Sequence, residues 1–302
     1  MIAGCQTETG APAPTYQFVR AWGETGGAPG QFRDPIGIDV AGREVFVSEA
    51  GNRRIQVFGP TGAVRRQIGP VLAGSDTLGR PMHLAATGPA LYVPDYNTDR
   101  VHVLSLDGRH RRSIDGTGLD VPLDAPGGVA VDSAGRLYTA DFYNHRVVRF
   151  GQDGSFDRQW GVADSMGGAA NRFTYPTDVA IHPDGGFVVA DAYNHRIKRY
   201  AAADSLAWTR PKAQTGADST KGTFNVATAV ATGPGGRIYV ADFFNHRIQV
   251  FSAAGDVLTA FGKQGTGEGH FERPVDVAVG DDGTLYVVDF GNDRIQVFAP
   301  EL

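Results

Sequence analysis

The chain has 302 residues, a net charge of −5 at pH 7 with acids and bases interspersed, 41 glycines, 17 prolines and a single cysteine, Cys5. One cysteine excludes an internal disulfide and any cysteine-based metal site. The acidic balance gives no footprint for sequence-independent nucleic-acid binding, with a local basic stripe at Arg109, His110, Arg111 and Arg112 as its exception, and no apolar run approaches the roughly 18 residues of a bilayer-spanning helix.

At the start, Ile2-Ala3-Gly4-Cys5 resembles the lipobox of bacterial lipoproteins, whose cysteine becomes lipidated. Residues Gln6 to Thr15, with Pro12 and Pro14 among small polar residues, read as a flexible tether. The resemblance implies lipidation at Cys5 and an extracytoplasmic domain anchored to a bacterial membrane by that lipid alone. The other reading is a chance four-residue match on a disordered tail. The expected organisation is a lipobox-like start and tether over 1–15 and a single domain over 16–302.

From there the chain repeats itself. Ser48-Glu-Ala-Gly-Asn-Arg-Arg54 is followed by Pro94-Asp-Tyr-Asn-Thr-Asp-Arg100, Ala140-Asp-Phe-Tyr-Asn-His-Arg146, Ala190-Asp-Ala-Tyr-Asn-His-Arg196, Ala241-Asp-Phe-Phe-Asn-His-Arg247 and Val288-Asp-Phe-Gly-Asn-Asp-Arg294. The acids at 49, 95, 141, 191, 242 and 289 stand 46 to 51 residues apart. Units of this length, each too small to bury its own apolar faces, must pack against one another in one domain.

The third unit shows the pattern of each. Pro126-Gly-Gly-Val-Ala-Val131, Arg136-Leu-Tyr-Thr-Ala140, Arg146-Val-Val-Arg-Phe150 and Phe156-Asp-Arg-Gln-Trp160 are short β runs joined by glycine-bearing hairpin turns. Four antiparallel strands per unit predict an all-β, six-bladed propeller. The last unit has only three runs, Val275 to Val279, Leu285 to Val288 and Arg294 to Phe298. Gln17-Phe-Val-Arg-Ala-Trp22 ends in Gly23 as Leu258-Thr-Ala-Phe261 ends in Gly262, so the N-terminal strand is expected to complete the C-terminal blade and leave no open edge.

These motifs resemble the NHL repeat family. Phe32, Leu78, Leu123, Phe173, Phe224 and Phe271 each lie three residues before Pro35, Pro81, Pro126, Pro176, Ala227 and Pro274, and each is followed by the acid–Asn-His-Arg turn or its variant. The second and fifth units depart most, with Pro94, Thr98 and Ala227 at consensus positions. The resemblance implies that the face carrying these turns is the binding surface.

Three groups compete for a role there. The acid and arginine of every hairpin read as a repeated structural pair, since chemistry rarely needs six equivalent copies. His145, His195 and His246 could supply zinc ligands, but equivalent positions in successive blades lie far apart around a ring, which favours capping or packing. Two residues past each proline position stand Gly37, His83, Gly128, Asp178, Ala229 and Asp276, pointing toward the axis. Among these, His83, Asp178 and Asp276 are the candidates for a catalytic acid and base or for a calcium or zinc site in the central channel, the alternative being aspartates that hold backbone amides. Tyr96, Tyr143, Tyr193 and Phe244, with Phe142, Phe243 and Phe290 nearby, are the candidates for a ligand-binding floor. The peptidyl-α-hydroxyglycine lyase domain places metal-binding histidines directly after the proline, where this chain has Ile36, Met82, Gly127, Thr177, Thr228 and Val275. The expectation is therefore a non-catalytic propeller binding a protein, peptide or glycan on its loop face. The alternative is a metal-assisted lyase or hydrolase working in the channel.

Overall fold

A computed structural model describes residues 13–72, 76–211 and 219–301. Cys5 and the first part of the expected tether lie outside the described residues. Within them are six four-stranded antiparallel sheets, each formed by consecutive strands except the last. The innermost strands of blades 1 to 6 are Pro35–Ala41, Ala85–Thr87, Pro126–Val131, Asp178–Ile181, Ala227–Thr232 and Pro274–Val279. They share one direction around the axis, and from each the chain steps outward by hairpins.

Blade 6 closes the ring as the sequence implies. Its outermost strand is Tyr16–Trp22, paired antiparallel with Arg294–Pro300 from Tyr16 opposite Pro300 to Trp22 opposite Ile295, with an irregularity between Phe18 and Arg20. The pairing runs one step further, where the Glu301 amide donates to the Thr15 carbonyl at 2.9 Å. A strand from the beginning of the chain thus covers the edge that the end would otherwise expose.

The apolar core is six layers, each between two neighbouring blades. Val45, Val47 and Phe58 of blade 1 pack on Tyr286, Val288 and Ile295 of blade 6, and the other five boundaries are built alike. The repeated Phe32, Leu78, Leu123, Phe173, Phe224 and Phe271 are all buried in these layers. Five of them, Phe32, Leu78, Leu123, Phe173 and Phe271, sit against a glycine just past or at the end of an outermost strand, where the chain must turn sharply. At Gly262 the backbone has φ of +99°, and a Cβ there would lie 2.5 Å from the Phe271 ring; Gly23 stands in the same relation to Phe32. Glycine is the residue that accepts both the left-handed backbone and the close approach.

Candidate functional site

The second-to-third-strand turns and the loops leading into the innermost strands gather on one face, and a repeated polar device fixes them. In blade 3 the Asp141 carboxylate accepts from Arg146 Nε at 2.7 Å, from the Asn144 amide at 2.9 Å and from the Asp124 backbone amide at 2.8 Å. Arg146 then reaches on to the Val121 and Pro122 carbonyls of the connecting loop. Glu49 with Arg54, Asp191 with Arg196, Asp242 with Arg247 and Asp289 with Arg294 repeat the pairing at 2.6–2.8 Å. Both oxygens of each of these buried acids have a donor, so five of the six pairs are clamps that hold loops.

Blade 2 departs from the expected uniformity. Arg100 Nε donates to the Thr98 carbonyl, and Asp95 is left to the amides of Gly79, Arg80 and Asn97 and to the His102 imidazole, 3.5 Å away. With Asp in place of His at 99, and His102 where three other blades carry glutamine, the chain here offers different partners.

The three hairpin histidines do not meet. Each adopts a left-handed backbone, with φ of 51–55°, and turns Nδ1 to the next blade. His145 accepts from the Tyr175 amide, His195 from Val226 and His246 from Arg273, all at 3.1 Å. Asp99 in blade 2 does the same for the Ala125 amide at 2.9 Å. The receiving residues are themselves left-handed, so the latch joins two strained corners across each blade boundary. Burial lowers the proton affinity of His145 and His195, which keeps their Nδ1 lone pairs free to accept.

The axial candidates do converge. His83, Asp178 and Asp276 each offer a ligand-type atom within 4.8 Å of the others, and all three are buried. They come from blades 2, 4 and 6, and the small Gly37, Gly128 and Ala229 come from blades 1, 3 and 5. The alternation is steric: a Cβ on Gly128 would lie 2.1 Å from Asp178 Oδ1, and one on Gly37 would lie 2.5 Å from the Met82 carbonyl oxygen. The acids also work as braces between blades. Asp276 accepts from the Ile38 and Val277 amides at 2.8 and 2.7 Å, and Asp178 Oδ2 accepts from the Val230 amide at 2.9 Å. Asp39, a residue that the axial reading of the sequence did not include, braces Ala86 in the same manner at 2.7 Å.

What remains uncommitted is His83 Nδ1, buried without a hydrogen-bond partner and 3.8 Å from Asp178 Oδ1. Burial alone would lower the proton affinity of His83, but Asp276 and Asp178 outweigh it and hold the imidazole above its ordinary value. Burial pushes the Asp276 carboxyl up to about 7, against the pull of His83 and with the help of Asp178. Asp39 is pushed up to about 6, chiefly by burial. His83 divides the channel. Toward the loop face lies an apolar cavity of about 130 Å³ lined by Ile36, Met82, Tyr96, Phe142 and Val275; beyond it is a polar cavity of about 290 Å³ that includes Asp39.

Around the mouth of the channel the aromatic candidates form an arc. Tyr96 and Tyr143 join hydroxyls at 2.5 Å with their rings 5.8 Å apart. Tyr175 continues the arc, 6.0 Å from Tyr143 and 5.2 Å from Tyr193. Phe244 stands against Phe243 at 4.8 Å, and Phe243 against Phe290 at 6.2 Å. Tyr143, Tyr193 and Phe244 are 43%, 53% and 50% exposed, whereas Tyr96 is partly buried. Tyr175 was missed by sequence reasoning, because it lies outside the hairpin turn and one residue before a proline, where no repeat consensus marks it.

Comparison with known proteins places this geometry. The NHL repeat model matches residues 123–150, 173–200, 224–251 and 271–298. A 149-residue stretch, 48% of the chain, is 28% identical to the protein brain tumor of Drosophila melanogaster, of whose length the chain spans only 14%. Among solved structures, a streptogramin B lyase superposes with a TM-score of 0.65 at 13% identity, covering 95% of this chain and 98% of that one. A Bacteroides thetaiotaomicron protein of unknown function superposes with a TM-score of 0.71 at 16% identity, covering 96% and 76%. At these identities the superpositions show the fold alone. The chain is thus a six-bladed β-propeller, a closed ring of six four-stranded sheets, in which blades 3 to 6 match the NHL repeat.

Proposed function

We propose that the propeller is a non-catalytic binding module that holds a protein, peptide or glycan against its loop face. The observation that carries this reading is the aromatic arc: the rings of Tyr96, Tyr143, Tyr175 and Tyr193 follow one another 5.2–6.0 Å apart, and Tyr143 and Tyr193 keep about half of their surface in solvent. Aromatic side chains with polar tips contribute large contact area at small entropic cost, which suits them to both peptide and sugar ligands. Beneath them the Arg–acid clamps and histidine latches hold the loops rigid, so little ordering is lost when a ligand docks. Peptide and glycan arrays probed with wild type and with Tyr143→Ala/Tyr193→Ala test it. The double variant is expected to lose binding at least tenfold, while His83→Ala/Asp178→Ala retains it; unchanged binding in the tyrosine variant contradicts the assignment.

The convergence of His83, Asp178 and Asp276 favours a second reading, a metal-assisted lyase or hydrolase in the channel. The residues fit a divalent cation only in part, because Asp276 already spends both oxygens on amides and His83 Nδ1 and Asp178 Oδ1 are the atoms left over. Calcium or zinc found in purified protein, and lost in His83→Ala/Asp178→Ala together with turnover, supports that reading. An extracytoplasmic location through lipid at Cys5 belongs to the same proposal, and fatty-acid labelling that persists in Cys5→Ala contradicts it.

A further inference from the structure

Blade 2 lacks the arginine clamp, and in its place it assembles two histidines and an acid found at equivalent positions in no other blade. His102 lies on the third strand, Arg100–Ser105, His110 on the outermost strand, His110–Ile114, and Asp76 on the connection from blade 1. Asp76 Oδ2 is 3.5 Å from His102 Nδ1 and 3.5 Å from His110 Nε2. Ser113 Oγ lies 3.2 Å from the first nitrogen, 3.0 Å from the second and 3.4 Å from the carboxylate oxygen. Ligands about 2.1 Å from a tetrahedral ion stand about 3.4 Å from each other. The five separations just given, 3.0–3.5 Å, are close to the edges of that tetrahedron, and the two imidazole nitrogens lie within 4.8 Å of each other.

We propose that blade 2 binds one divalent transition ion of the zinc type through Asp76 Oδ2, His102 Nδ1 and His110 Nε2, with Ser113 Oγ beside the fourth position. Two imidazoles with one carboxylate select an ion of borderline softness over calcium or magnesium, which prefer all-oxygen shells. The second ring nitrogen of His102 carries independent support. Nε2 is fully buried, has no hydrogen-bond partner within normal distance, and faces the buried Asp95 carboxylate 3.5 Å away. A carboxylate behind a metal-binding imidazole holds the proton on the far nitrogen and leaves the near one free for the ion. The Arg100 guanidinium, 3.9 Å from Asp76, is 38% exposed and free to swing into solvent.

The consequence is structural. In the other blades an arginine ties the connecting loop to the hairpin; here an ion bridging Asp76 to the third and fourth strands ties it instead. Asp76 and His110 remain partly open to water, which gives the ion a path in.

Untagged full-length protein, stripped with chelator and titrated with Zn²⁺ alone by calorimetry, tests the site. One equivalent is expected to bind and to raise Tm, in wild type and equally in Asp276→Asn. In His110→Ala and in Asp76→Ala, both at partly exposed positions that leave the blade intact, affinity is expected to fall at least a hundredfold and the Tm rise to vanish. Absence of stoichiometric binding by folded wild type overturns the proposal. Binding that survives both substitutions overturns it too, since the ion then sits elsewhere.

Discussion

Replacing the same consensus arginine in two blades should have unequal costs. In blade 3, Arg146→Met removes a guanidinium that is almost wholly buried and leaves Asp141, with no exposed side-chain surface, without its counter-charge. Breaking a buried pair in this way costs about 3–5 kcal/mol. The loop carbonyls of Val121 and Pro122 lose their donor as well. For a domain of this size that corresponds to a fall in Tm of roughly 5–10 °C. In blade 2, Arg100→Met removes a side chain that is 38% exposed and 3.9 Å from its nearest acid, so the cost is about 0–1 kcal/mol. Urea unfolding followed by tryptophan fluorescence, with calorimetry to establish whether the transition is two-state, measures both. Adding Asp141→Asn to Arg146→Met should regain part of the loss, because the uncompensated charge is then gone. Similar losses at Arg146 and Arg100 would refute the assignment of the arginines as clamps in five blades and not the sixth.

Three further outcomes are expected. Asp276 and Asp39 titrate in the folded protein near 7 and near 6, both raised chiefly by burial, so folding takes up protons between about pH 4 and pH 7. Wild type should therefore lose stability relative to Asp276→Asn as pH rises through that window, with raised His83 adding loss in the same direction as pH passes its folded value; denaturant midpoints at pH 4.5, 6 and 7.5 that diverge the other way contradict it. His195→Ala should cost about 1–2 kcal/mol by leaving the Val226 amide without its acceptor, and hydrogen exchange should speed up at that amide while metal content stays unchanged. Deleting residues 1–22 removes the outermost strand of blade 6 and bares Arg294–Pro300, so light scattering should report association or precipitation in place of a monodisperse species.

The fold was legible in the sequence because each blade repeats the same residues for the same physical reason. An acid followed by an asparagine three positions on and an arginine five positions on marks a hairpin that must hold a loop, and a phenylalanine or leucine three before the proline position marks the layer between blades. The missing fourth run of the last unit and the spare one at the start together exposed the closure. The axial positions were legible as a set, since they follow the prolines, but that large and small residues alternate by blade follows from how closely Gly128 meets Asp178. What stayed hidden depends on contacts between blades. The histidine latches need the left-handed corners at both ends, Tyr175 enters the arc from a different loop, and Asp76, His102 and His110 come from three separate segments with no ligand spacing to announce them.

Hydrogen exchange of the intact protein with and without a saturating array-identified ligand tests most directly whether binding belongs to the loop face. Protection is predicted at the turns around Tyr143, Tyr193 and Phe244 and in the loop at Tyr175. Protection confined to the far ends of the innermost strands, around Thr87, Ile181 and Thr232, would contradict the account and move the site into the channel.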